Sequence, residues 1–316
     1  MSVVRRSAIA TSGDVVPEAA RLVDVARLAP SIGNTQPWAW RLDGRVLDLH
    51  AVLRRRLADR DPSGRHLLAS CGVALHHALL AAREHRVDVA LESPDDAGWA
   101  RVGEALDGTA HPDVAPRVAR LVLGTTRSTA ADGSLVLRSL RQRSTDRRRF
   151  TSWPVSDSVL GQVAEVAHTP LARVVPVTGR VTRLRVQHLV NRIGLGTDPD
   201  AGATPATVGG TDDVHPGDGL LVVATDEDRP RDWFDSGRAL GGLWLAAQAQ
   251  GLTVVPISRA VESHEVRQGL AHGLLDSGHV QALVRTGWQP LGRAQLARTA
   301  RHSLDEVLRP GTDPVA

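Results

Sequence analysis

The spacing of apolar positions changes along the chain between the helical and the extended period. Between residues 66 and 85 apolar side chains recur every three or four positions, which predicts a mostly buried helix. The same period predicts helices over 17–29, 135–142, 157–167, 180–193, 236–250 and 261–271. Short apolar runs predict strands over 87–91, 119–123, 173–177, 220–225, 253–257 and 280–286. Helices and strands mixed without strict βαβ repetition indicate an α+β protein with mostly antiparallel or mixed sheets.

An aromatic hairpin is predicted directly after the first helix. Trp38 and Trp40 alternate with smaller or polar residues, and Asp43-Gly44 is a dipeptide typical of two-residue hairpin turns. A turn at this dipeptide would pair Trp40 with Leu47 and would place both tryptophans on one face of the hairpin. We therefore expect the two tryptophans to belong to the core.

Between the first helix and the hairpin lies a polar loop, residues 30–38, which reads Pro-Ser-Ile-Gly-Asn-Thr-Gln-Pro-Trp. Its two prolines restrict the backbone, and Asn, Thr and Gln present several donors and acceptors from a short segment. Such a loop suits a flat ligand rich in heteroatoms, since binding residues concentrate in loops that a rigid scaffold positions. The alternative is an ordinary helix-to-strand connection whose Asn and Gln only form turns. The spacing of these residues leaves both interpretations open.

The densest basic cluster of the chain covers residues 143–150, Arg-Ser-Thr-Asp-Arg-Arg-Arg-Phe. Arginine presents forked donors that match phosphate oxygens, and Ser144 and Thr145 add hydroxyl donors. The alternative is a solvated basic turn, the usual role of a charge run.

Composition and charge exclude several function classes. The chain has 316 residues and no lysine, so all 38 basic residues are arginines. Chemistry that needs a Schiff-base lysine or the lysine of a phosphate-binding P-loop is therefore excluded. The formal net charge is only +3, so the basic residues do not imply a nucleic-acid partner.

The single cysteine, Cys71, rules out an internal disulfide and fits a reducing compartment. Residues 1–16 lack the apolar core of a signal peptide. The longest apolar stretch, residues 239–257, is interrupted by two glutamines, a glycine and a proline, so no membrane span is predicted. These features predict a cytoplasmic protein that does not bind a membrane.

Several catalytic and metal-binding motifs are missing. No G-x-G-x-x-G follows a predicted strand, and no G-x-S-x-G occurs. His264-Glu265 lacks the second histidine of a zinc helix, because position 268 is Gln268. His76 and His77 are adjacent on a predicted core helix and point about 100° apart. We therefore expect no metal site and identify no catalytic side chain.

Two further segments bear on the organisation of the chain. Residues 125–133 are small, polar and turn-prone, and they are the best candidate for a boundary between two parts of the protein. Residues 196–219 are rich in Gly, Asp, Thr and Pro. A loop of this length is either functional, here a candidate lid, or disordered.

The segment from Pro30 to Trp38 resembles the PSxxNxQPW signature of the nitroreductase family of flavoproteins. Thr35, the Arg-rich segment that ends at Phe150 and residues 233–251 resemble in particular the Acg-type branch of that family. The resemblance covers about residues 17–309.

In the Acg-type branch two nitroreductase-like halves are fused in one chain. The resemblance thus implies an α+β nitroreductase-like fold with two pseudo-symmetric halves, in which central antiparallel or mixed sheets are flanked by helices. The expected halves are residues 1–126, with the PSxxNxQPW loop, and residues 134–316, with the Arg-rich segment.

The resemblance also implies a bound FMN and a set of residues around it. The loop would contact the flavin, the Arg-rich segment and a C-terminal arginine would bind the phosphate, and one strand end would approach the isoalloxazine. The expected cofactor-binding residues are Pro30, Ser31, Ile32, Gly33, Asn34, Gln36, Arg143, Arg147, Arg148, Pro256, Ile257, Ser258 and Arg301. Three residues depart from the pattern of the branch. Ser144 stands where a second arginine is usual, and His302 and Ser303 stand where arginine and proline usually follow Arg301.

The function implied is that of an FMN-dependent oxidoreductase. NADPH or NADH would deliver hydride to the flavin, which would reduce a small electron-poor acceptor such as a nitro, quinone or enone compound. The alternative is an FMN storage or sequestration protein with a lid over the flavin and little reductase activity. We expect no nucleic-acid partner, and either a monomeric pseudo-dimer or a weak homodimer.

Overall fold

The computed structural model describes residues 12–109, 115–126, 134–195, 213–294 and 296–311. The first elements are α1 (Ser12–Ala26), β1 (Trp38–Asp43), β2 (Val46–Ala51), α2 (Arg65–Glu84), β3 (Val87–Glu92), α3 (Asp96–Leu106) and β4 (Arg117–Thr126). They are followed by α4 (Leu135–Gln142), α5 (Asp157–Val166), β5 (Ala172–Pro176), α6 (Arg180–Leu195), β6 (Gly219–Thr225), α7 (Pro230–Ala249), β7 (Thr253–Pro256), α8 (Arg259–Glu262), α9 (His264–Leu274), β8 (His279–Gly287), α10 (Leu304–Val307) and β9 (Leu308–Pro310).

The strands form two separate sheets. The first has the order β3-β4-β2-β1-β9 and is antiparallel except for β9, which runs parallel to β1. The second has the order β5-β6-β8-β7 and is antiparallel throughout. The predicted α+β class with antiparallel and mixed sheets is confirmed.

Helices α2 and α7 form the centre of the molecule and cross at two glycines. A Cβ atom added to Gly72 would lie 1.9 Å from the carbonyl oxygen of Phe234. A Cβ added to Gly237 would likewise lie 1.9 Å from the carbonyl oxygen of Ala69. The two contacts are reciprocal and have the same sequence offset, as at an interface with two-fold symmetry. This reciprocity supports the interpretation of the chain as two fused halves.

The two expected halves exchange elements across the predicted boundary. The C-terminal strand β9 pairs with β1 and so extends the first sheet. Leu137 and Leu140 of α4 are buried in the core that also contains Trp38 and Trp40. The division between residues 126 and 134 therefore remains a prediction, and parts of the expected second half complete the first.

The hairpin forms as predicted, but its register differs by two residues. Trp40 pairs with Leu49 instead of Leu47, and the two turn residues are Gly44 and Arg45. Gly44 has a φ of +55° at the first central position, where one class of two-residue turn requires glycine. Because side chains alternate with a period of two, the shift leaves both tryptophans on the buried face.

Three predicted helices have different bounds in the structure. Helix α1 begins at Ser12, so that Pro17 lies inside the helix and not in its first turn. Helix α7 begins at Pro230, where the missing proline N–H is tolerated in the first turn. The helix predicted over 261–271 is divided into α8 and α9 at Ser263, which has an extended backbone and caps α9.

Helix α3 was not predicted, because residues 95–116 are polar and show little periodicity. Asp95 caps the helix by accepting a hydrogen bond from the Gly98 amide at 2.8 Å. Trp99, Val102 and Leu106 form its narrow buried stripe. Three large apolar residues among eleven are a weak periodic signal.

Two sequence expectations fall mostly outside the described residues. The predicted boundary over 125–133 overlaps the described chain only at the end of β4, and the candidate lid over 196–219 only from residue 213 onward. Within the described ranges, no helix is both long enough and apolar enough to cross a membrane.

Candidate functional site

The loop between α1 and β1 has an unusual backbone. The φ angles in this loop are 54° at Gly33, 57° at Asn34 and 48° at Gln36. They lie in the left-handed region, which residues other than glycine rarely adopt. The backbone N–H of Gln36 donates to Ser31 Oγ at 2.9 Å, and Arg55 Nη1 donates to the backbone carbonyl oxygen of Gln36 at 2.6 Å. Backbone strain of this kind persists only where surrounding contacts hold it, and it concentrates at functional sites.

Helix α2 supports this loop from below. The Ile32 amide donates to Ser70 Oγ at 3.4 Å, and Ser70 Oγ donates to the His66 carbonyl oxygen at 2.7 Å. Cys71 is buried and its thiol donates to the Pro37 carbonyl oxygen at 3.2 Å. Burial raises the pKa of the Cys71 thiol, so the cysteine is an inert part of the core.

A segment before α10, the C-terminal strap (residues 299–303), lies against the loop. Ser303 and Glu306 form a capping box that fixes the start of α10, and so the end of the strap. Arg27, directly after the end of α1, donates to the carbonyl oxygen of His302 at 3.1 Å. The strap is thus held both by its own helix and by the turn that follows α1.

The polar side chains of the loop bind the C-terminal strap directly. Asn34 Nδ2 donates to the Ala300 carbonyl oxygen at 3.1 Å, and Arg301 Nη1 donates to Asn34 Oδ1 at 2.8 Å. The His302 amide donates to Gln36 Oε1 at 2.9 Å. More than 260 residues separate the two segments along the chain, so their association was not predictable from local sequence.

Arg301 and Arg143 form a pair of like charges. The Arg143 guanidinium lies over the Trp244 ring, 4.8 Å from its centroid, and Nη1 donates to Thr145 Oγ1 at 3.3 Å. Burial, and then the nearby charge of Arg301, lower the pKa of Arg143 to about 10. Burial and the charge of Arg27 also lower the pKa of Arg301. The Nε atoms of both arginines are buried and have no hydrogen-bond partner among the residues that the structure describes.

His77 of α2 lies close to this pair of arginines and was not predicted as part of the site. Burial holds the pKa of His77 well below its usual range, and the charges of His76, Arg143 and Arg301 lower it further. The imidazole is therefore neutral at pH 7, and its Nδ1 atom is buried without a hydrogen-bond partner. Its proximity to arginines from distant segments is a tertiary feature, and the adjacent His76-His77 dipeptide gave no signal for it.

The other two arginines expected at the phosphate have different partners. Arg147 Nη1 donates to the Pro256 carbonyl oxygen at 3.3 Å. Arg148 makes two hydrogen bonds of 2.7 and 2.8 Å to the buried carboxylate of Asp146, and donates to the Ala294 carbonyl oxygen at 2.9 Å. The structure therefore brings Arg143 of this segment together with Arg301, whereas a role of Arg147 and Arg148 in phosphate binding remains a prediction.

The strand end from Pro256 to Ser258 is held within the second sheet. The Ile257 amide donates to the Leu283 carbonyl oxygen at 2.8 Å, and Ile257 is buried. Ser258 precedes α8 without making a side-chain cap. The contacts described for Pro256 lead to Arg147, so the expected approach of this strand end to a ligand at the loop stays a prediction.

A buried arginine, Arg65, joins distant segments of the chain elsewhere. Arg65, at the start of α2, binds both carboxylate oxygens of Asp228 at 2.5 and 2.9 Å and also donates to Gln281. Trp233 Nε1 donates to the same carboxylate at 2.8 Å. Burial alone would raise the pKa of Asp228, but the hydrogen bonds and charge of Arg65 outweigh it and hold the pKa well below its usual range. Every member of this network has a partner.

Comparison with known proteins supports the resemblance seen in the sequence. No protein-family model matches the chain. A Mycobacterium tuberculosis protein, Rv3131, provisionally named an NAD(P)H nitroreductase, is 28% identical over 91% of this chain and 90% of its own length. The Acg protein of the same organism, with the same provisional name, is 24% identical over 93% of this chain and 95% of its own length.

A solved structure supports the fold. It belongs to an Anabaena variabilis protein provisionally named a nitroreductase, is 12% identical, covers 90% of both chains and has a TM-score of 0.58. The expected nitroreductase-like fold is therefore confirmed. The chain is a homologue, over about nine-tenths of its length, of curated proteins that carry the nitroreductase name, Acg among them.

In the described parts of the chain, no three or more His, Cys, Asp or Glu residues lie together in a way that could hold a metal ion.

Proposed function

We propose that the protein binds FMN between the 30–36 loop, the C-terminal strap and Arg143, and that it acts as an NAD(P)H-dependent flavin oxidoreductase. The phosphate of FMN would lie between Arg143 and Arg301. The observation that carries this proposal is the convergence of these two arginines, whose Nε atoms are buried and unpartnered.

The residues present fit an anionic group. Two half-buried guanidinium groups close together repel each other, and this repulsion adds to the burial that chiefly lowers the pKa of Arg143. A phosphate monoester carries nearly two negative charges at pH 7 and accepts the forked hydrogen bonds that arginine donates. Such a ligand would relieve the repulsion and provide acceptors for the unpartnered Nε atoms. The neutral His77 nearby adds no third positive charge to the site.

The 30–36 loop fits the other part of the ligand, the flat ring system. Its backbone conformation is fixed by Ser31 and Arg55, and a Cβ atom at Gly33 would lie only 3.0 Å from the Leu57 side chain. A rigid backbone of this kind can lie against a planar ring without being reordered on binding. Supported by Ser70 from below, the loop would orient the ring relative to the phosphate.

When bound, FMN would supply the acceptance and donation of hydride, and the protein would supply binding, orientation and control of access. We assign NADPH or NADH as the electron donor because the curated relatives are named for these cofactors. The acceptor class that we propose is a small electron-poor molecule of the nitro, quinone or enone type. We assign no side chain to proton transfer.

We also propose that the protein acts as a monomeric pseudo-dimer in the cytoplasm, without nucleic acid. The reciprocal contact of Gly72 and Gly237 provides within one chain the two-fold packing that a dimer would otherwise supply. A net charge of +3 in 316 residues gives little attraction to nucleic acid.

The proposed function is tested by the absorbance spectrum of the purified protein, followed by anaerobic addition of NADPH or NADH. We expect a yellow protein, or one that becomes yellow with added FMN, whose absorbance bleaches with the nicotinamide. A yellow protein that does not bleach would contradict the reductase activity and favour storage of the flavin. A colourless protein that takes up no FMN would overturn the cofactor assignment.

A further inference from the structure

The side-chain amides of Asn34 and Gln36 are engaged by the protein itself. Both polar atoms of the Asn34 amide are used, one by the Ala300 carbonyl oxygen and the other by Arg301. The Oε1 atom of Gln36 accepts from the His302 amide. These hydrogen bonds point away from a direct role of the two amides in contacting a ligand.

What these bonds hold in place is Arg301. The residue is bound at its guanidinium by Asn34, and its two chain neighbours are bound by Asn34 and Gln36. Arg301 is also repelled by Arg143 and by Arg27, and this repulsion favours conformations that move its charge into water. A tether is therefore needed to keep Arg301 beside Arg143.

The backbone of the loop serves the same arrangement. Asn34 and Gln36 are two of the three described residues other than glycine with a positive φ, and both bind the C-terminal strap. Asparagine tolerates this conformation better than most residues, whereas glutamine at a φ of 48° is strained. Ser31 and Arg55 hold Gln36 in this conformation. The strained backbone therefore aims both amides at the strap.

We propose that Asn34 and Gln36 are positioning residues which, through the C-terminal strap, hold Arg301 at the phosphate and so make the site selective for a flavin with a terminal phosphate monoester over riboflavin. This inference rests on the proposed function. It differs from a direct contact of the two amides with the flavin ring, because a ring contact would contribute equally to the binding of FMN and riboflavin.

The decisive experiment compares FMN and riboflavin binding to the flavin-free protein and to its Asn34→Gly variant, by quenching of flavin fluorescence. Glycine adopts a positive φ without strain, so this substitution removes the amide and leaves the backbone favourable. We expect FMN to bind at least about tenfold more weakly, as for the loss of a charge-assisted hydrogen bond. Riboflavin binding should change by less than about twofold.

Arg86→Gly is the matched control, because Arg86 is exposed and has a φ of 54°. It introduces the same residue at the same backbone conformation in the connection between α2 and β3. Neither affinity should change in this variant.

A double-mutant cycle tests whether Asn34 acts through Arg301. Arg301→Met should reproduce the FMN-selective loss, and the combination with Asn34→Gly should weaken FMN binding no further. Additive losses would overturn the inference. If Asn34→Gly does not fold, Asn34→Asp takes its place. It keeps the acceptor for Arg301, loses the donor to Ala300 and neutralises the arginine charge, so the same selective loss is expected.

The failure of the inference and that of the proposed function are distinguishable. If the unaltered protein binds neither flavin, the proposed function fails. If it prefers FMN and Asn34→Gly weakens both flavins equally, or neither, the cofactor assignment stands and the positioning role is overturned.

Discussion

At two places in this protein an arginine lies beside groups from distant segments, and the two places differ in what surrounds the charge. The Arg65 guanidinium donates hydrogen bonds to the Asp228 carboxylate and to the side-chain oxygen of Gln281, and it lies over the Trp233 ring. Arg143 lies near the like charge of Arg301, and its buried Nε atom has no hydrogen-bond partner among the described residues. Only the first place is electrostatically complete within the protein.

The difference separates a structural contact from a binding site. A buried charge without an opposite charge is costly, and folding tolerates it only if the remainder of the structure provides the stability. The Arg65–Asp228 network can contribute to that stability because each group has a partner. The Arg143–Arg301 pair is completed only by an anion from outside the chain, which is the physical basis of the proposed phosphate site.

The largest effect on stability is expected at the crossing of α2 and α7, the helices that carry Gly72 and Gly237. In Gly237→Ala the new Cβ would lie 1.9 Å from the Ala69 carbonyl oxygen, so α2 and α7 would have to separate. We expect a loss of more than about 4 kcal/mol in the free energy of unfolding, or no folded protein. Chemical denaturation measures this loss.

Gly161→Ala in α5 is the control for that substitution, because no atom lies within 4 Å of the added Cβ. It should raise stability by about 0.4–1 kcal/mol. Equal stability changes in the two variants would contradict the role of the close crossing.

The complete network should respond strongly to the loss of its acid. Asp228→Asn leaves the buried Arg65 without a counter-charge and should lower the free energy of unfolding by about 3 kcal/mol. Asp226→Asn removes the exposed partner of Arg173 and serves as the control, with a change below about 1 kcal/mol. Urea denaturation at pH 7 compares the two, and a similar small change in both would show that the network is not structural.

The incomplete pair of Arg143 and Arg301 should affect ligand binding and not stability. Arg143→Met removes one of two repelling charges, so we expect the flavin-free protein to lose no stability in thermal denaturation. FMN should bind about 10- to 100-fold more weakly, because one or two charge-assisted hydrogen bonds to the phosphate are lost. If the flavin-free variant is destabilised by several kcal/mol and its FMN binding is unchanged, Arg143 has a structural role like that of Arg65 and the proposed phosphate contact is contradicted.

A pH dependence that belongs to neither place is also expected. Burial, and then the charge of Arg238, lower the pKa of His76 from 6.5 to about 4. Protonation therefore favours unfolding, so the stability contributed by neutral His76 is complete above pH 6.5 and is lost as the pH falls towards 4. The loss is at most about 1.4 kcal/mol per pH unit.

His76→Gln should reduce this slope between pH 6.5 and 4, as measured by denaturation at several pH values. Asp228, whose pKa is lowered, should contribute its own loss of stability only below the ordinary aspartate pKa of 3.8. An unchanged slope in the variant would show that His76 is not protonated on unfolding in this range.

Local sequence was sufficient for many elements of this fold. The helix predicted over 135–142 has those bounds in the structure, and the helix predicted over 66–85 lies one residue earlier. The capping box of Ser303 and Glu306 likewise joins residues only three positions apart. These features depend on residues within one or two turns of each other, and their physical causes are therefore present in a short window of sequence.

The tertiary structure decided the features that join distant segments. The hairpin register depends on which residues form the turn, β9 belongs to a sheet whose other strands precede it by more than 180 residues, and α3 has too few apolar positions to be recognised alone. The sequence by itself determined a polar, restricted loop at 30–36 and a basic cluster at 143–150. The fold decided that Arg143 of this cluster lies beside Arg301 and that Arg147 donates to the Pro256 carbonyl oxygen, because burial and charge act between residues brought together by packing, and no periodic pattern records such encounters.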